Sequence, residues 1–363
     1  MSTANGPMEL TGTTVDELAA FLASLGEPAY RGHQLARWIY QSDATSFAEM
    51  TDLPASLRAQ LAERARLTRL APLAAVRADG GDTVKYLVEL PDGATVETVF
   101  MRYEDGRRSV CLSTQVGCGM GCTFCATGLA GLTRNLTAAE IIDQVLLVQR
   151  TQGERVTNAV FMGMGEPLAN YQATVRALLV LNAPWGGGIG MRHLTVSTVG
   201  LVPQIRLLAE ERLQLTLAVS LHAPDDALRT QLVPINARWP VQELLTASAD
   251  YVRTAGRRIS FEYVLLEGVN DAPEQAAHLG ERLVDAARAI DATPGQSWHV
   301  NLIPWNPVYG MQYRRPDRAR VEAFARELER RRVPATVRLE RGVEIDAACG
   351  QLQRTRGLAE ARR

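Results

Sequence analysis

The sequence lacks any long uncharged hydrophobic run. Charged residues or prolines interrupt its apolar stretches well short of the roughly 20 residues that a membrane-spanning helix needs. The opening segment, MSTANGPMEL, has neither the basic part nor the apolar part of a secretion signal. We therefore expect a cytoplasmic protein with no membrane partner.

An excess of positive charge is also absent. Lys+Arg 39 against Asp+Glu 40 gives a formal net charge of -1 at pH 7. Lys85 is the only lysine, and so strong a preference for arginine is typical of a coding bias rather than of phosphate recognition. No global field attracts nucleic acid, so an RNA-binding surface has to be a local patch.

Cysteine is scarce, and its distribution is uneven. Three of the five cysteines lie within eight residues, whereas Cys111 and Cys349 stand apart. An odd number clustered in this way does not fit a secreted disulfide framework, and close spacing in a cytosolic chain favours metal or redox chemistry. At 363 residues and 46% hydrophobic content, the chain can bury a large core as one barrel with an appendage or as two to three smaller domains.

The first hundred residues predict helices followed by a β-hairpin. Thr14 and Glu17 form a capping box ahead of a helix that ends at Gly26, and helical stretches near 30–42 and 55–66 follow. Segments 83–90 and 95–103 flank a Pro-Asp-Gly turn, which is typical of a hairpin. We assign residues 1–103 to an accessory domain that we expect to contact RNA.

From about residue 107 the pattern alternates between strands and helices, with a second capping box at Thr137 and Glu140. The predicted strands lie near 107–114, 158–162, 193–199, 215–222, 258–266, 298–305 and 335–340. The predicted helices lie near 137–151, 170–182, 202–212, 241–255, 273–289 and 316–331. Regular alternation over this length predicts a parallel sheet, open or curled into a barrel.

Residues with unusual chemistry follow the predicted strands. The cysteine loop comes after the first strand, Gly163–Pro167 after the second, and Ser197, Ser220–His222 and Pro304–Pro307 at later strand ends, with Cys349 beyond the last. Parallel α/β barrels build their active sites at this edge. One cavity is therefore predicted to collect them.

The motif Cys118-Gly-Met-Gly-Cys122-Thr-Phe-Cys125 supplies three closely spaced thiols on a glycine-containing loop. A structural zinc site needs four protein ligands, and only distant Cys111 or Cys349 could complete one here. A four-iron, four-sulfur (4Fe-4S) cluster held by three cysteines instead keeps one iron open for a substrate or cofactor. The residues alone favour the cluster and leave zinc as the alternative.

This motif, with an aromatic residue before its last cysteine and a Gly-Glu-Pro loop one strand later, resembles the radical S-adenosylmethionine (SAM) superfamily. The resemblance implies a partial (β/α)6 TIM-like barrel over residues 104–345, with one 4Fe-4S cluster on Cys118, Cys122 and Cys125. It also implies a SAM-binding set of Gly165, Glu166, Ser197, Ser220, Leu221, His222 and Asn306.

A closer resemblance runs from about Glu97 to Leu352. The stretches VETVF, CLSTQVGC, FCATGLAGLTRNLT, FMGMGEPLANY, SLHAPDDALRTQLVPIN, PWNP and IDAACGQL occur in this order. They resemble the RlmN family of dual-specificity adenine-2 methyltransferases, which act on ribosomal and transfer RNA. The resemblance implies 23S rRNA and tRNA as substrates, an electron donor such as flavodoxin, and a monomer.

In the scheme that this resemblance implies, two SAM molecules are used per turnover. The first methylates Cys349, which lies in the C-terminal segment 346–363, and the second generates the radical that activates the S-methyl group for addition to adenine. Glu97 removes the ring proton, and Cys111 attacks the Cys349 sulfur, which releases methylated RNA and leaves a transient disulfide.

Three other functions stay open. They are methylation of carbon 8 of the same adenine, a radical enzyme with another task such as protein activation, and a non-catalytic RNA-binding protein stapled by a metal. Only weak sequence evidence points to the RNA contact itself. Candidates are Trp305, Tyr309 and Tyr313 for stacking, and the arginine clusters 64–69, 253–258 and 314–320 for phosphate.

Overall fold

The computed structural model describes residues 6–129, 131–338, 341–342 and 345–352. Its N-terminal part contains the three predicted helices, and two short strands pair in parallel beside them. Their bounds are β1 Met8–Glu9, α1 Val15–Ser24, α2 Arg31–Tyr40, α3 Ala55–Arg64 and β2 Ala65–Arg66, with a 3-10 turn at Phe47–Glu49. The apolar faces of the helices pack together, which buries residues such as Leu18, Leu35 and Leu57 completely.

Both predicted capping boxes are confirmed. The backbone N–H of Glu17 donates to Thr14 Oγ1 at 3.2 Å, and the Glu17 carboxylate accepts from the Thr14 N–H at 2.8 Å. Thr137 and Glu140 make the same reciprocal pair at 2.8 and 3.2 Å. Each box satisfies backbone donors that the first turn of a helix leaves unpaired, so the starts of two helices are determined locally.

A single ten-stranded sheet forms the centre of the molecule. Seven of its strands are parallel: β6 Arg108–Cys111, β9 Asn158–Phe161, β10 Leu194–Thr198, β11 Thr216–Ser220, β12 Ile259–Leu265, β13 Trp298–Pro304 and β14 Ala335–Val337. Three antiparallel strands extend it beyond β6: β3 Ala71–Ala78, β4 Thr83–Glu89 and β5 Thr95–Arg102. The predicted hairpin is thus confirmed as β4 and β5, and it continues the barrel sheet.

Helices connect the parallel strands, as predicted, and the sheet stays open between its edges β14 and β3. The crossover helices are α5 Ala138–Gln152, α6 Tyr171–Asn182, α7 Val202–Glu210, α8 Asp226–Leu232, α9 Val241–Ala255, α10 Pro273–Arg288 and α12 Arg318–Arg330. Short elements complete the order: β7 Gln115–Gly117, α4 Ala126–Leu129, β8 Leu132–Asn135 and α11 Pro294–Ser297. This is the predicted partial barrel.

Strand β3, helix α8 and several shorter elements were absent from the sequence prediction. Strand β3 has mostly exposed or half-buried side chains, so it shows no apolar alternation. Helix α8 spans only seven residues, fewer than a periodic pattern needs, and begins because the Asp225 carboxylate accepts the Leu228 N–H at 2.9 Å. In the described part of the chain, no helix is both long and apolar enough to cross a membrane.

A buried ionic network joins the N-terminal helices to the barrel. The Asp143 carboxylate on α5 accepts the backbone N–H of Leu70 at 2.6 Å and pairs with Arg69 and Arg150 at 3.2 and 3.0 Å. Arg150 also reaches Asp43 in the N-terminal part at 2.6 Å. Removing one partner of a buried ion pair leaves the other charge buried without compensation, which is unfavourable. This network therefore holds the two parts together firmly.

Candidate active site

A cavity of about 150 Å³ opens at the C-terminal ends of the parallel strands. Its walls include all three cysteines of the predicted cluster, together with residues from five strand ends. Of the predicted SAM-binding residues, it contains Gly165, Glu166, Ser197, Ser220, His222 and Asn306. The sheet edge that the sequence pattern indicated is therefore where these side chains meet.

The cysteine loop begins after β7 at a position that only glycine can fill. Gly117 has φ +79, and a Cβ there would lie 1.9 Å from the carbonyl oxygen of Gly131. Burial raises the pKa of Cys118 to about 12 and that of Cys122 well above its ordinary value. Thiols in such a site stay protonated until a metal centre displaces the protons, which fits three ligands of an iron-sulfur cluster.

The described residues form no preorganised site for a single metal ion. Within the ranges that the structure describes, no three His, Cys, Asp or Glu side chains form a group that could hold one ion. A zinc site brings its ligand atoms to about 2.0–2.3 Å from one point. The zinc alternative therefore gains no support from the described residues, all five cysteines of which are free of disulfides.

The Gly165-Glu166 segment is held tightly against the cysteine loop. Gly165 has φ +103, and a Cβ at this position would meet the Gln115 side chain at 2.5 Å. The Glu166 carboxylate accepts the backbone N–H groups of Leu168 and Val199 at 3.0 and 2.8 Å. Burial raises the pKa of Glu166 to about 7. This carboxyl is thus poised to respond to a cationic group placed in the cavity.

His222 follows β11 in a left-handed conformation with φ +62. Its Nδ1 accepts the Val264 N–H at 3.0 Å, so the ring proton belongs on Nε2. Burial, aided by Arg229, lowers the pKa of His222 to about 3, which keeps the ring neutral near pH 7. The ring packs edge-on against Phe124 of the cysteine loop, with centroids 4.7 Å apart. The imidazole is therefore a rigid, neutral part of the wall.

Leu221 differs from its two neighbours. Its side chain is completely buried in the hydrophobic core and does not line the cavity. Its backbone contributes instead, because the Leu221 N–H donates to the carbonyl oxygen of Glu262 at 3.0 Å. Only the main chain of Leu221 thus bears on the site.

Arg229 on α8 is fully buried and ties two strand ends together. Its guanidinium donates to the carbonyl oxygens of Val199, Ser220 and Leu221 at 2.6, 3.0 and 3.0 Å, and to Asn236 Oδ1 at 2.9 Å. These four acceptors are all neutral. The fork geometry of arginine can satisfy several carbonyl groups at once, so this residue sets the spacing between the loops after β10 and β11.

Asn306 closes the far side of the cavity. Its Nδ2 donates to the carbonyl oxygen of Cys349 at 3.3 Å. Its Oδ1 is buried and accepts no hydrogen bond from any described residue. Since a buried acceptor without a donor is unfavourable, this oxygen fits a ligand that brings an N–H, such as the amino group of an adenine.

A second, smaller cavity of about 50 Å³ adjoins the first. Cys111 at the end of β6 and Cys349 both line it, and the two cavities share Met162, Ile303, Asn306, Arg338 and Cys349. Burial, followed by the proximity of Cys349, raises the pKa of Cys111 to about 12. Nearness to Cys349 is also the main cause that raises the pKa of Arg338. The structure thus brings together the two cysteines that sequence spacing left 238 positions apart.

Glu97 is not the solvated carboxylate that most hairpin glutamates are. Its side chain is 1% exposed and forms an ion pair with Lys85, Nζ to Oε1, at 3.3 Å. It lies on β5, two residues before Val99, which lines the smaller cavity and pairs with Cys111. Glu97 itself is not part of either cavity wall.

The residues proposed for RNA contact are less well placed. The Trp305 indole lies in the wall of the larger cavity and donates to the Phe124 carbonyl oxygen at 3.0 Å. Its stacking on a base stays a prediction. Tyr309 is 77% exposed. Several arginines of the three clusters are engaged in ion pairs within the chain: Arg66, Arg69, Arg253, Arg314, Arg318 and Arg320.

Sequence reasoning missed four polar residues of the site region: Lys85, Arg229, Glu262 and Arg338. Glu262 and Arg338 carried no motif, and Arg229 lies within the stretch SLHAPDDALRTQLVPIN without a separate role assigned to it. Lys85 did carry a signal, because it is the only lysine in a chain that otherwise uses arginine.

Two family models match the chain. Residues 8–67 match the ribosomal RNA large subunit methyltransferase N-terminal domain, and residues 112–280 match the radical SAM superfamily. The first match covers the helical N-terminal part, and the second covers the cysteine loop and most of the parallel strands. The model for the N-terminal part adds information that its sequence alone did not supply.

Similar proteins agree with these matches. A probable dual-specificity RNA methyltransferase RlmN of Symbiobacterium thermophilum is 49% identical, with 96% of this chain and 92% of the relative covered. One of the same description from Pelotomaculum thermopropionicum is 51% identical, with coverages of 94% and 90%. The crystal structure of a radical SAM methyltransferase from Sphaerobacter thermophilus superposes with a TM-score of 0.89 at 48% identity, covering 96% of this chain and 99% of that one. The chain therefore belongs to the RlmN family of radical SAM RNA methyltransferases.

Proposed function

We propose that this chain methylates carbon 2 of an adenine in 23S rRNA and in tRNA, with Cys349 as the methyl carrier. The observation that carries the proposal is the shared cavity of Cys111 and Cys349, which opens onto the cavity of Cys118, Cys122 and Cys125. The names of relatives about half identical to this chain, dual-specificity RNA methyltransferases, support the two classes of RNA.

The residues of the larger cavity bind SAM in this proposal. When bound, one 4Fe-4S cluster on the three loop cysteines supplies the electron that cleaves SAM to a 5′-deoxyadenosyl radical. Gly165 and Glu166 hold the amino group of the methionine part, Ser197 and the Ser220–His222 segment hold the ribose region, and Asn306 holds the adenine. The unpartnered Oδ1 of Asn306 and the buried Glu166 carboxyl support these roles.

Two SAM molecules are used per turnover. Cys349 receives the methyl group of the first, and after activation by the second it becomes joined to the adenine through a methylene bridge. Carbon 2 of adenine bears no acidic proton, so the radical route replaces ordinary transfer of a methyl cation. The Glu97 carboxylate then accepts the ring proton.

Cys111 resolves the adduct by attacking the Cys349 sulfur, which forms a disulfide as the bond from sulfur to the methylene carbon breaks. The released carbon takes up a proton to complete the methyl group, and the remaining unpaired electron passes to a one-electron acceptor. A thiolate, not a thiol, is the nucleophile in such exchange. Since burial keeps the resting Cys111 thiol protonated, a cation has to support its ionisation, and the Arg338 guanidinium in the same cavity is suited to that role.

We extend the proposal to the organisation of the chain. Residues 1–103 form the accessory domain that contacts RNA, 104–345 the catalytic barrel, and 346–363 the carrier segment, of which 353–363 lie outside the described residues. The protein acts as a monomer in the cytoplasm and takes electrons from a donor such as flavodoxin.

Nucleoside analysis tests the proposed reaction. RNA from cells that lack this protein, digested and separated by liquid chromatography with mass detection, is expected to lack 2-methyladenosine in both 23S rRNA and tRNA. Re-expression of the wild-type chain restores it, whereas Cys349→Ala does not. Loss of 8-methyladenosine in place of 2-methyladenosine would establish the alternative position, and unchanged RNA would rule out both.

A further inference from the structure

The basic residues of this chain are almost all arginines, and the one exception is buried. Among 39 Lys and Arg residues, Lys85 is the only lysine. Its side chain is 7% exposed, in the middle of β4. All the remaining Lys and Arg residues of this chain are arginines. A single buried lysine therefore indicates a place that suits a compact ammonium and not a planar guanidinium.

The Lys85 ammonium bridges two parts of the chain. It pairs with Glu97 Oε1 at 3.3 Å on the neighbouring strand and donates to the carbonyl oxygen of Asp346 at 3.3 Å. Asp346 lies three residues before Cys349 on the C-terminal segment. A single ammonium group with three donors can make both contacts simultaneously.

The sheet register places this ammonium beside the smaller cavity. Lys85 lies opposite Val99, and Val99 lies opposite Cys111, so the three side chains form a row on one face. Glu97, two residues before Val99, is on the same face. Within the described residues, the other titratable or charged groups around this cavity are Tyr103, Cys111, Arg338, Arg341, Cys349 and, on the neighbouring C-terminal segment, Asp346.

We propose that Lys85 is a positioning residue that keeps the Glu97 carboxylate ionised and aligned, and that fastens the Cys349 segment over it. The inference rests on the proposed function, in which Glu97 accepts the ring proton. A carboxyl that is 1% exposed favours its neutral form unless a cation compensates the charge, and a neutral carboxyl cannot accept a proton. The same ammonium positions the carrier segment by donating to the Asp346 carbonyl oxygen, so one group aligns both the base and the carrier.

The test uses the full-length enzyme with its reconstituted cluster and a substrate RNA. Lys85→Met removes the charge and keeps the length of the side chain. We expect normal iron content and normal S-methylation of Cys349, measured by mass spectrometry. The acid limb of the pH–rate profile for single-turnover release of methylated RNA is expected to move up by about one unit, which lowers the rate about tenfold at pH values on that limb and less at higher pH.

Two variants separate charge from shape. Lys85→Arg keeps the charge but not the compact head, so it is expected to retain the wild-type acid limb and lower the rate at all pH values. Arg77→Met removes an exposed charge from the adjacent strand β3 and is expected to behave as the wild type. An acid limb unchanged in Lys85→Met, or equally displaced in Lys85→Arg, would overturn the proposal.

The Glu97→Gln variant distinguishes failure of this inference from failure of the proposed function. If Glu97→Gln methylates RNA at the wild-type rate, Glu97 is not the proton acceptor and the proposed function is wrong on that point. If Glu97→Gln is slow while Lys85→Met matches the wild type, only the role of Lys85 fails. In the supporting case, Lys85→Met displaces no acid limb when Glu97→Gln is already present, because the charge of Lys85 sets the pH profile through Glu97.

Discussion

The strand-end loops of the larger cavity and the C-terminal segment 345–350, which also lines it, are attached to the fold in different ways. The cavity wall is cross-linked from within: Arg229 spans the loops after β10 and β11, and Glu166 accepts a backbone N–H from the first of these loops. The segment 345–350 is fastened by hydrogen bonds to separate elements, including Ala126 N–H to the Gly350 carbonyl oxygen at 2.8 Å, Lys85 to Asp346 and Asn306 to Cys349. Hydrogen bonds link the parts of the wall to one another, whereas the segment is hydrogen-bonded separately to several elements.

This difference matches the two tasks that the proposed chemistry sets. A cofactor that must be cleaved reproducibly needs a wall that does not move. A carrier cysteine has to receive a methyl group, meet an adenine and then meet Cys111, so it needs attachments that can be released one at a time. Hydrogen bonds to separate elements can be released one at a time, and segment 345–350 is held by bonds of this kind.

The largest expected effect is the loss of the cluster. Replacing Cys118, Cys122 or Cys125 with Ala is expected to abolish SAM cleavage, because three thiols are the whole protein ligand set. Wild-type protein reconstituted without oxygen should hold about four iron per chain. Cys349→Ala is the matched control, with full iron and intact SAM cleavage. One equivalent of zinc in place of iron would contradict this assignment.

Next in size is a block at a single step on the carrier side. Cys111→Ala is expected to leave Cys349 methylation and SAM cleavage intact but to stop turnover at the covalent adduct, since no thiolate attacks the Cys349 sulfur. The variant should therefore purify with RNA attached, detectable by denaturing electrophoresis and nuclease sensitivity. Attachment in Cys349→Ala but not in Cys111→Ala would mean that the two roles are reversed.

Arg229→Met probes the rigid wall. The substitution leaves the carbonyl oxygens of Val199, Ser220 and Leu221 without their donor inside the protein, and we expect the free energy of unfolding to fall by about 3–5 kcal/mol. SAM affinity should weaken as well, while Arg206→Met on the exposed side of α7 changes stability by less than about 0.5 kcal/mol. Denaturant titration and equilibrium dialysis measure the two effects. A stable Arg229→Met variant with normal SAM affinity would show that the wall does not depend on this cross-link.

The smallest effect is a pair of opposing pH dependences within the wall. In the folded chain burial raises the pKa of Glu166 from 4.5 to about 7, so acidification from about pH 7 to about pH 5 stabilises the fold through this group. Burial lowers the pKa of His222 from 6.5 to about 3, so the same acidification destabilises the fold through that group.

Each contribution amounts to about 2 kcal/mol over this range, and in the wild type the two nearly cancel. Relative to wild type, Glu166→Gln is expected to lose stability on acidification and His222→Gln to gain it, in denaturant titrations of the cluster-free protein. Parallel pH dependences in all three proteins would show that these groups do not titrate differently on folding.

Most of the barrel was predictable because its signals are local. Most strand and helix segments from 107 to 337 follow from hydrophobic runs, capping residues and turn residues. The parallel arrangement of the strands then predicted that the residues after their C-terminal ends meet at one edge of the sheet. The three cluster cysteines were predictable for the same reason, since their spacing is written in eight consecutive residues. Strand β3 was not, because an edge strand with exposed side chains has no periodic pattern.

Residues that act through long-range contacts were not predictable from pattern. Arg229 belongs to the wall because a seven-residue helix points its side chain at two strand ends. Leu221 contributes only its backbone, which a motif of three adjacent residues does not distinguish from its neighbours. Burial decides both cases, and burial depends on what packs against a residue from elsewhere in the chain.

The amino-acid sequence by itself determined the order of strands and helices, the cysteine loop and the edge of the sheet at which the site forms, because capping, alternation and ligand spacing operate over a few residues. The tertiary structure alone decided that Cys111 and Cys349 share a cavity and that Lys85 lies between Glu97 and the carrier segment. Those neighbours come from distant positions in the sequence, and their charges interact strongly only when folding removes the water between them.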